Sequence, residues 1–125
     1  MTENNPFKVL LIDDSEIVGA RVLELLSAIP GIEVIGQAKT LREGLSLSTE
    51  MHPRIIFLDI NLPDGLGIDL LKGLKNSQPY IWVIMLTNSS NEFYKRKCTE
   101  LGADFFLDKT QDFPLIAELI ERIAT

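Results

Sequence analysis

The chain is short of three things that would have fixed its class at once. It has a single cysteine, Cys98, so no disulfide can form within it. It has no apolar run of membrane-spanning length and no signal-peptide pattern, which points to a cytoplasmic protein without a membrane partner. Basic residues are outnumbered, 12 Lys and Arg against 18 Asp and Glu, and the net charge of −6 excludes the basic footprint of direct nucleic-acid binding. Histidine also occurs once. His52 has no Cys, His or acid at ligand spacing, so it reads as a surface residue. Internal repeats, low-complexity segments and linkers are missing too. What is left is one domain of ordinary size, long enough to bury a core. Its acidic balance is compatible with binding a divalent cation. Met1 to Phe7 reads as an N-terminal extension and residues 8–124 as the domain.

Five short apolar runs organise the chain. Lys8 to Ile12 is a continuous run, as in a strand buried on both faces. Ile32 to Gly36 alternates in part and reads as a strand nearer an edge. Arg54 to Leu58, Tyr80 to Leu86 and a strand within Ala103 to Leu107 complete the set, with Trp82 and Tyr80 read as core. Helical patterns lie between them. Val18, Val22, Leu25, Leu26 and Ile29 recur at helical spacing and stop at Pro30-Gly31. Thr40 to Glu43 fits a capping box ahead of Leu41, Leu45, Leu47 and Met51. Ile68, Leu70, Leu71 and Leu74 make a third helix. Glu92 to Leu101 is a fourth, capped from the polar loop Thr87 to Asn91 and closed by Gly102. Asp112-Phe113-Pro114 opens a fifth, with Ile116, Leu119, Ile120 and Ile123 inward. Strand and helix thus alternate five times. Right-handed crossovers turn that order into an α/β fold, a parallel sheet with helices on both faces.

Four of the runs stop at a polar residue of a specific kind. Ile12 gives way to Asp13-Asp14, Leu58 to Asp59, Leu86 to Thr87, and Leu107 to Asp108-Lys109. Ligands of such sheets bind at the carboxyl ends of the strands, where all of these residues fall. Asp13, Asp14 and Asp59 in one crevice would oppose each other's ionisation, and a hard cation such as Mg²⁺ relieves that. Lys109 adds a positive charge and Thr87 a hydroxyl donor. Acids, one ammonium and one hydroxyl suit a phosphoryl group arriving at a carboxylate, which can itself be the acceptor.

The stretches Ile12-Asp13-Asp14-Ser15, Leu58-Asp59-Ile60-Asn61-Leu62-Pro63-Asp64-Gly65, Thr87, and Phe106-Leu107-Asp108-Lys109 together resemble the receiver domain of two-component response regulators. The likeness runs from about Lys8 to Ala124. It implies a flavodoxin-like doubly wound sheet of order 2-1-3-4-5 with five helices. It implies that Asp59 is the phosphoacceptor. Asp14, Asp59 and the Asn61 carbonyl would hold Mg²⁺ directly, with Asp13 acting through water, and Thr87 and Lys109 would contact the phosphoryl group. Phe106 matches the family's switch aromatic. The implied donor is a phosphohistidine on a sensor histidine kinase or a histidine phosphotransfer protein. The implied output is a change in the face formed by the fourth helix, the fifth strand and the last helix. That face would be read by an effector domain, a partner protein or a second copy of the chain. Such a domain is a signalling phosphoacceptor rather than an enzyme. No effector follows Thr125 here, which leaves both a stand-alone receiver and a separated one open.

Two positions depart from the family pattern. Asn88 stands where a small residue is usual, and its side chain is expected to narrow access to Asp59. Thr110 stands where proline is usual, so the Lys109–Thr110 peptide is expected to be trans, a non-proline cis bond costing about 2.5–4 kcal/mol. Two other classes fit less well. A phosphatase of the haloacid dehalogenase type carries a second acid two residues after its nucleophile, where this chain has Asn61. A flavodoxin-like FMN binder needs a hydroxyl-rich phosphate loop after the first strand, where Asp13-Asp14-Ser15-Glu16 would repel phosphate. Cys98 reads as a packing residue, although Lys95, Arg96 and Lys97 beside it could lower its pKa. That basic run itself reads as a solvated face.

Overall fold

A computed structural model describes residues 6–88 and 91–124. In chain order the described elements are β1 (Phe7–Ile12), α1 (Glu16–Ser27), β2 (Ile32–Ala38), α2 (Leu41–Met51), β3 (Ile55–Leu58), β4 (Asn61–Leu62), β5 (Gly65–Leu66), α3 (Gly67–Ser77), β6 (Trp82–Thr87), α4 (Glu92–Glu100), β7 (Phe105–Asp108) and α5 (Leu115–Ala124). Five strands form one parallel sheet in the order β2-β1-β3-β6-β7. Without the small β4–β5 pair this is the expected order 2-1-3-4-5. No helix among the described residues is long and apolar enough to cross a membrane.

Both faces of the sheet are covered because β1, β3 and β6 are apolar at successive positions. Leu10, Ile12, Ile56, Leu58, Val83 and Met85 pack with Leu70, Leu71 and Leu74 of α3 and with Cys98 of α4. Val9, Leu11, Ile55, Phe57, Ile84 and Leu86 face the other way, onto Val22 and Leu26 of α1 and Ile116 and Ile120 of α5. Each such side chain, fully buried, contributes about 1.5–3 kcal/mol. The edge strand β2 carries a bulge, in which Val9 pairs with Val34 and Leu10 with Gly36.

Several expectations need correction. Phe7, assigned to the extension, opens β1 and pairs with Ile32, because its N–H finds the Gly31 carbonyl at 2.7 Å. Residues 1–5 of that extension, Ser89 and Ser90 of the polar loop, and Thr125 lie outside the described residues. The fourth strand of the sheet starts at Trp82 rather than Tyr80 and includes Thr87. Tyr80 is exposed, and Trp82 lies half out of the core at the sheet's amino edge, stacked on Phe105 at 6.4 Å. Leu45 points to solvent; α2 instead buries Gly44 and Ser48. The last helix begins at Leu115, and Asp112 to Pro114 form a turn whose carbonyls at Asp112 and Phe113 accept from Leu115 and Ile116. Ser15 caps α1 through the Val18 N–H. Burial pushes the Cys98 thiol up, so the neighbouring cations do not activate it.

Other readings agree with the structure. Thr40 caps α2 as expected, but Glu43 reaches back to the N–H of Lys39, one residue earlier than a capping box requires. Asn91 caps α4, Gly102 follows it at φ 103°, and His52 is exposed. His52 also takes the left-handed conformation that ends α2. Every described peptide bond is trans, Lys109–Thr110 included.

Candidate functional site

Asp13, Asp59 and Lys109 share one structural position. Each is the first residue beyond its strand, and each still takes a ladder hydrogen bond from the neighbouring strand. Asp13 N–H donates to the Ala38 carbonyl at 2.8 Å, Asp59 N–H to Ile12 at 3.0 Å and Lys109 N–H to Thr87 at 3.1 Å. The sheet therefore fixes three backbones at its carboxyl edge before any side chain interacts.

The side chains converge there. Lys109 Nζ lies 2.9 Å from Asp59 Oδ2 and 2.6 Å from Asp13 Oδ2, with all three residues buried. The contact to Asp59 is a hydrogen bond, whereas the one to Asp13 Oδ2 is a charge contact without hydrogen-bond geometry. Asp59 Oδ1 accepts the Ile60 N–H at 2.7 Å, and Asp13 Oδ1 accepts the Ser15 N–H at 2.8 Å. Asp14 is exposed, yet it offers an oxygen that lies with one from Asp13 and one from Asp59 within a 4.8 Å cluster.

The electrostatics show which partner dominates. Burial pushes the Asp13 carboxyl above its ordinary range, against the pull of Lys109 and the Ser15 N–H, and the Asp59 charge pushes the same way. Burial alone would lower the Lys109 ammonium; its close contacts with the Asp13 and Asp59 carboxylates outweigh that and hold it above its ordinary range. One cation is thus shared between two acids that repel one another. Three ionised carboxylates against one ammonium leave two negative charges, which a divalent cation would cancel. The donor set, carboxylate oxygens with one exposed to solvent, fits Mg²⁺.

The other predicted residues sit at the same edge. Thr87 ends β6, is fully buried and pairs with Asp108. Asn61 begins β4 and is exposed. Phe106, in β7 and paired with Met85, is half-buried against the cluster that α3 and α4 cover. Asn88 is exposed.

Five residues support the site in roles not assigned to them from the sequence. Gly67 follows the β4–β5 pair, and a Cβ there would overlap the Asp59 carbonyl oxygen; its N–H donates to the Ile60 carbonyl at 2.6 Å. Asp64, in the turn of that pair, accepts the N–H groups of Leu41 and Arg42 at 2.7 and 3.1 Å, joining the Asp59 loop to the start of α2. Asp108 Oδ1 accepts from Thr110 N–H, Thr110 Oγ1 and Gln111 N–H at 2.7, 2.7 and 3.0 Å. Asp112 Oδ2 accepts the Asp108 N–H at 2.8 Å. Gln37 donates to the carbonyls on either side of Asp14. The usable signal was turn chemistry: Asp and Gly clustered just past an apolar run bind their own loop backbone.

A doubly wound parallel sheet thus carries an acid-lined, lysine-bridged pocket at its carboxyl edge. The chain belongs to the response regulator receiver domain family, whose model matches residues 9–121. It is 32% identical over 119 residues to the response regulator protein VraR of Staphylococcus saprophyticus, covering 94% of this chain and 56% of that protein. The chain spans about half the length of the curated relatives it matches. Among solved structures it superposes on the response regulator domain of Thermotoga maritima CheB with a TM-score of 0.83 at 28% identity, covering 96% of this chain and 95% of that one. A BeF3-activated DrrB receiver domain gives a TM-score of 0.84 at 26% identity, with 95% and 97% covered.

Proposed function

We propose that this receiver accepts a phosphoryl group on Asp59 and passes the change to a downstream partner. The observation that carries the reading is the Lys109 ammonium held between Asp13 and Asp59, buried at the sheet edge beside a third carboxylate. Asp59 Oδ1 is tied to the Ile60 N–H, which turns Oδ2 toward the crevice as the attacking atom. A bond forms from Oδ2 to phosphorus as the P–N bond of a phosphohistidine breaks, and the imidazole leaves with that electron pair. Lys109 then exchanges its bond to the free carboxylate for one to a phosphoryl oxygen. The Thr87 hydroxyl donates to another. Asp13, Asp14, Asp59 and the Asn61 carbonyl would hold Mg²⁺, which when bound neutralises charge on the phosphoryl oxygens.

The donor class is a sensor histidine kinase or a histidine phosphotransfer protein. The readers are an effector domain, a partner protein or a second copy of the chain, acting on the α4–β7–α5 face. Phe106 lies in the strand at the centre of that face and is the aromatic that would respond to Thr87. Incubation with a small-molecule phosphodonor and Mg²⁺ should add one phosphoryl mass to the wild type and none to Asp59→Asn, read by intact mass. Equal gain in the two proteins would sink the assignment.

A further inference from the structure

The acid loop between β1 and α1 is gripped from the edge strand. Gln37, in β2 beside Leu11, turns its side chain toward α1. Its Nε2 lies 2.6 Å from the Asp13 carbonyl and 2.9 Å from the Ser15 carbonyl. Both partners are carbonyl oxygens, which only accept, so the amide orientation is dictated by chemistry. One amide group therefore spans Asp14, donating to the carbonyls of the residues before and after it. The Asp13 N–H is fixed separately by the Ala38 carbonyl at 2.8 Å, so β2 holds this loop twice, once by backbone and once by side chain.

The amide has room only because of α1. Gly19 is buried and faces it, and a Cβ at that position would overlap Gln37 Oε1, with the side-chain carbon at 2.7 Å. A glycine inside a helix is otherwise unfavourable relative to alanine. Its φ is not in the left-handed region, so backbone conformation does not explain it. The space it leaves is filled by the Gln37 amide.

We infer that Gln37 and Gly19 act as one positioning device that sets the Asp13–Asp14 backbone for metal binding. Neither residue belongs to the Asp13, Asp14 and Asp59 carboxylate cluster. Gln37 fixes the carbonyls that flank Asp14, and Gly19 lets Gln37 reach them. The inference rests on the metal site proposed above. Supporting groups behind metal ligands commonly change affinity by about 10–100-fold, and this one acts through the backbone, at the lower end of that range.

Mg²⁺ titration calorimetry on wild type, Gln37→Ala, Gly19→Ala and the double variant tests it, with the melting temperature of each protein recorded without metal. Gln37→Ala should bind Mg²⁺ about tenfold more weakly. Gly19→Ala should weaken binding in the same direction, because the new methyl displaces the amide. In the double variant the alanine methyl has space, so it should cost no further affinity and should raise the metal-free melting temperature above that of Gln37→Ala. A loss of Mg²⁺ affinity in Gln37→Ala that exceeds any loss of metal-free stability is the signature a merely structural role would not give. Equal Mg²⁺ affinity in wild type and Gln37→Ala would overturn the device while leaving the metal site standing. Independent, additive losses from the two substitutions would overturn the coupling. No Mg²⁺ binding by wild type would overturn the site and the device with it.

Discussion

The two loops that deliver Asp59 and Lys109 to each other are built by opposite means. The β3–α3 loop is set by close backbone approach. A two-residue antiparallel pair folds it back, and Gly67 lies so close to the Asp59 carbonyl that no side chain fits. The β7–α5 loop is set by carboxylates. Asp108 gathers three donors from Thr110 and Gln111, and Asp112 returns to the Asp108 N–H. The first loop is specified by excluded volume, which is stiff and indifferent to charge. The second is specified by acceptors at the right place, which weaken one at a time. The difference follows the load on each. Under the proposed function Asp59 would become covalently modified in place, whereas Lys109 would exchange one oxygen partner for another.

Substitutions can break that contrast. The largest effect is expected from Gly67→Ala. Its methyl has no route around a backbone oxygen, and overpacking of this kind costs about 1–3 kcal/mol or more. Urea unfolding should place it at or beyond the top of that range, and a loss under 1 kcal/mol would show that the β3–α3 loop yields. Asp108→Ala comes next. It strands three donors, of which some find water, for a loss of about 1–3 kcal/mol, with Asp108→Asn keeping an acceptor and losing less. Equal urea midpoints for the two variants would mean that the acceptor is not what shapes the loop.

The smallest effect is expected at Asp64, which is exposed. The Leu41 N–H, then the Arg42 N–H, hold its carboxyl below the ordinary carboxylate range. A group depressed in the folded state stabilises above its unfolded pKa, and that stability is lost as pH falls through the lower folded value. The gap in melting temperature between wild type and Asp64→Asn should therefore be present at neutral pH and close below the ordinary value of 3.8. A gap that stays constant into acid would argue that the charge plays no part.

Much of this was legible beforehand, because four of the five strands of the sheet are apolar runs that lead into a candidate site residue. Asp13, Asp59, Thr87 and Lys109 all lie where that pattern put them. What was not legible has two physical sources. Buried small residues leave no hydrophobic signal. α2 packs through Gly44 and Ser48, with Gly44 so close that a Cβ would lie 2.6 Å from Ile12 Cδ1, and this turns Leu45 outward. Large aromatics mislead in the other direction. Tyr80 and Trp82 precede and open a central strand, but they sit at its amino edge, where an amphipathic ring can stay half in water. Contacts distant in sequence were the rest. Nothing local in residues 36–38 announces that Gln37 serves Asp14, or that Lys109 answers Asp13 as well as Asp59.

The strand order has a consequence for how the molecule is assembled. β1 lies between β2 and β3, and β6 and β7 are then added outward on one side. A chain emerging amino end first completes the three strands that carry both buried acids before the strand that carries Lys109 exists. Without that strand, Asp13 and Asp59 at the ends of β1 and β3 would lack the Lys109 counter-charge. β7 supplies Phe105 and Leu107 to the apolar layer and leads directly into the Lys109 that meets the acids. The strand that closes this edge of the sheet thus also delivers the ammonium held between the two buried acids.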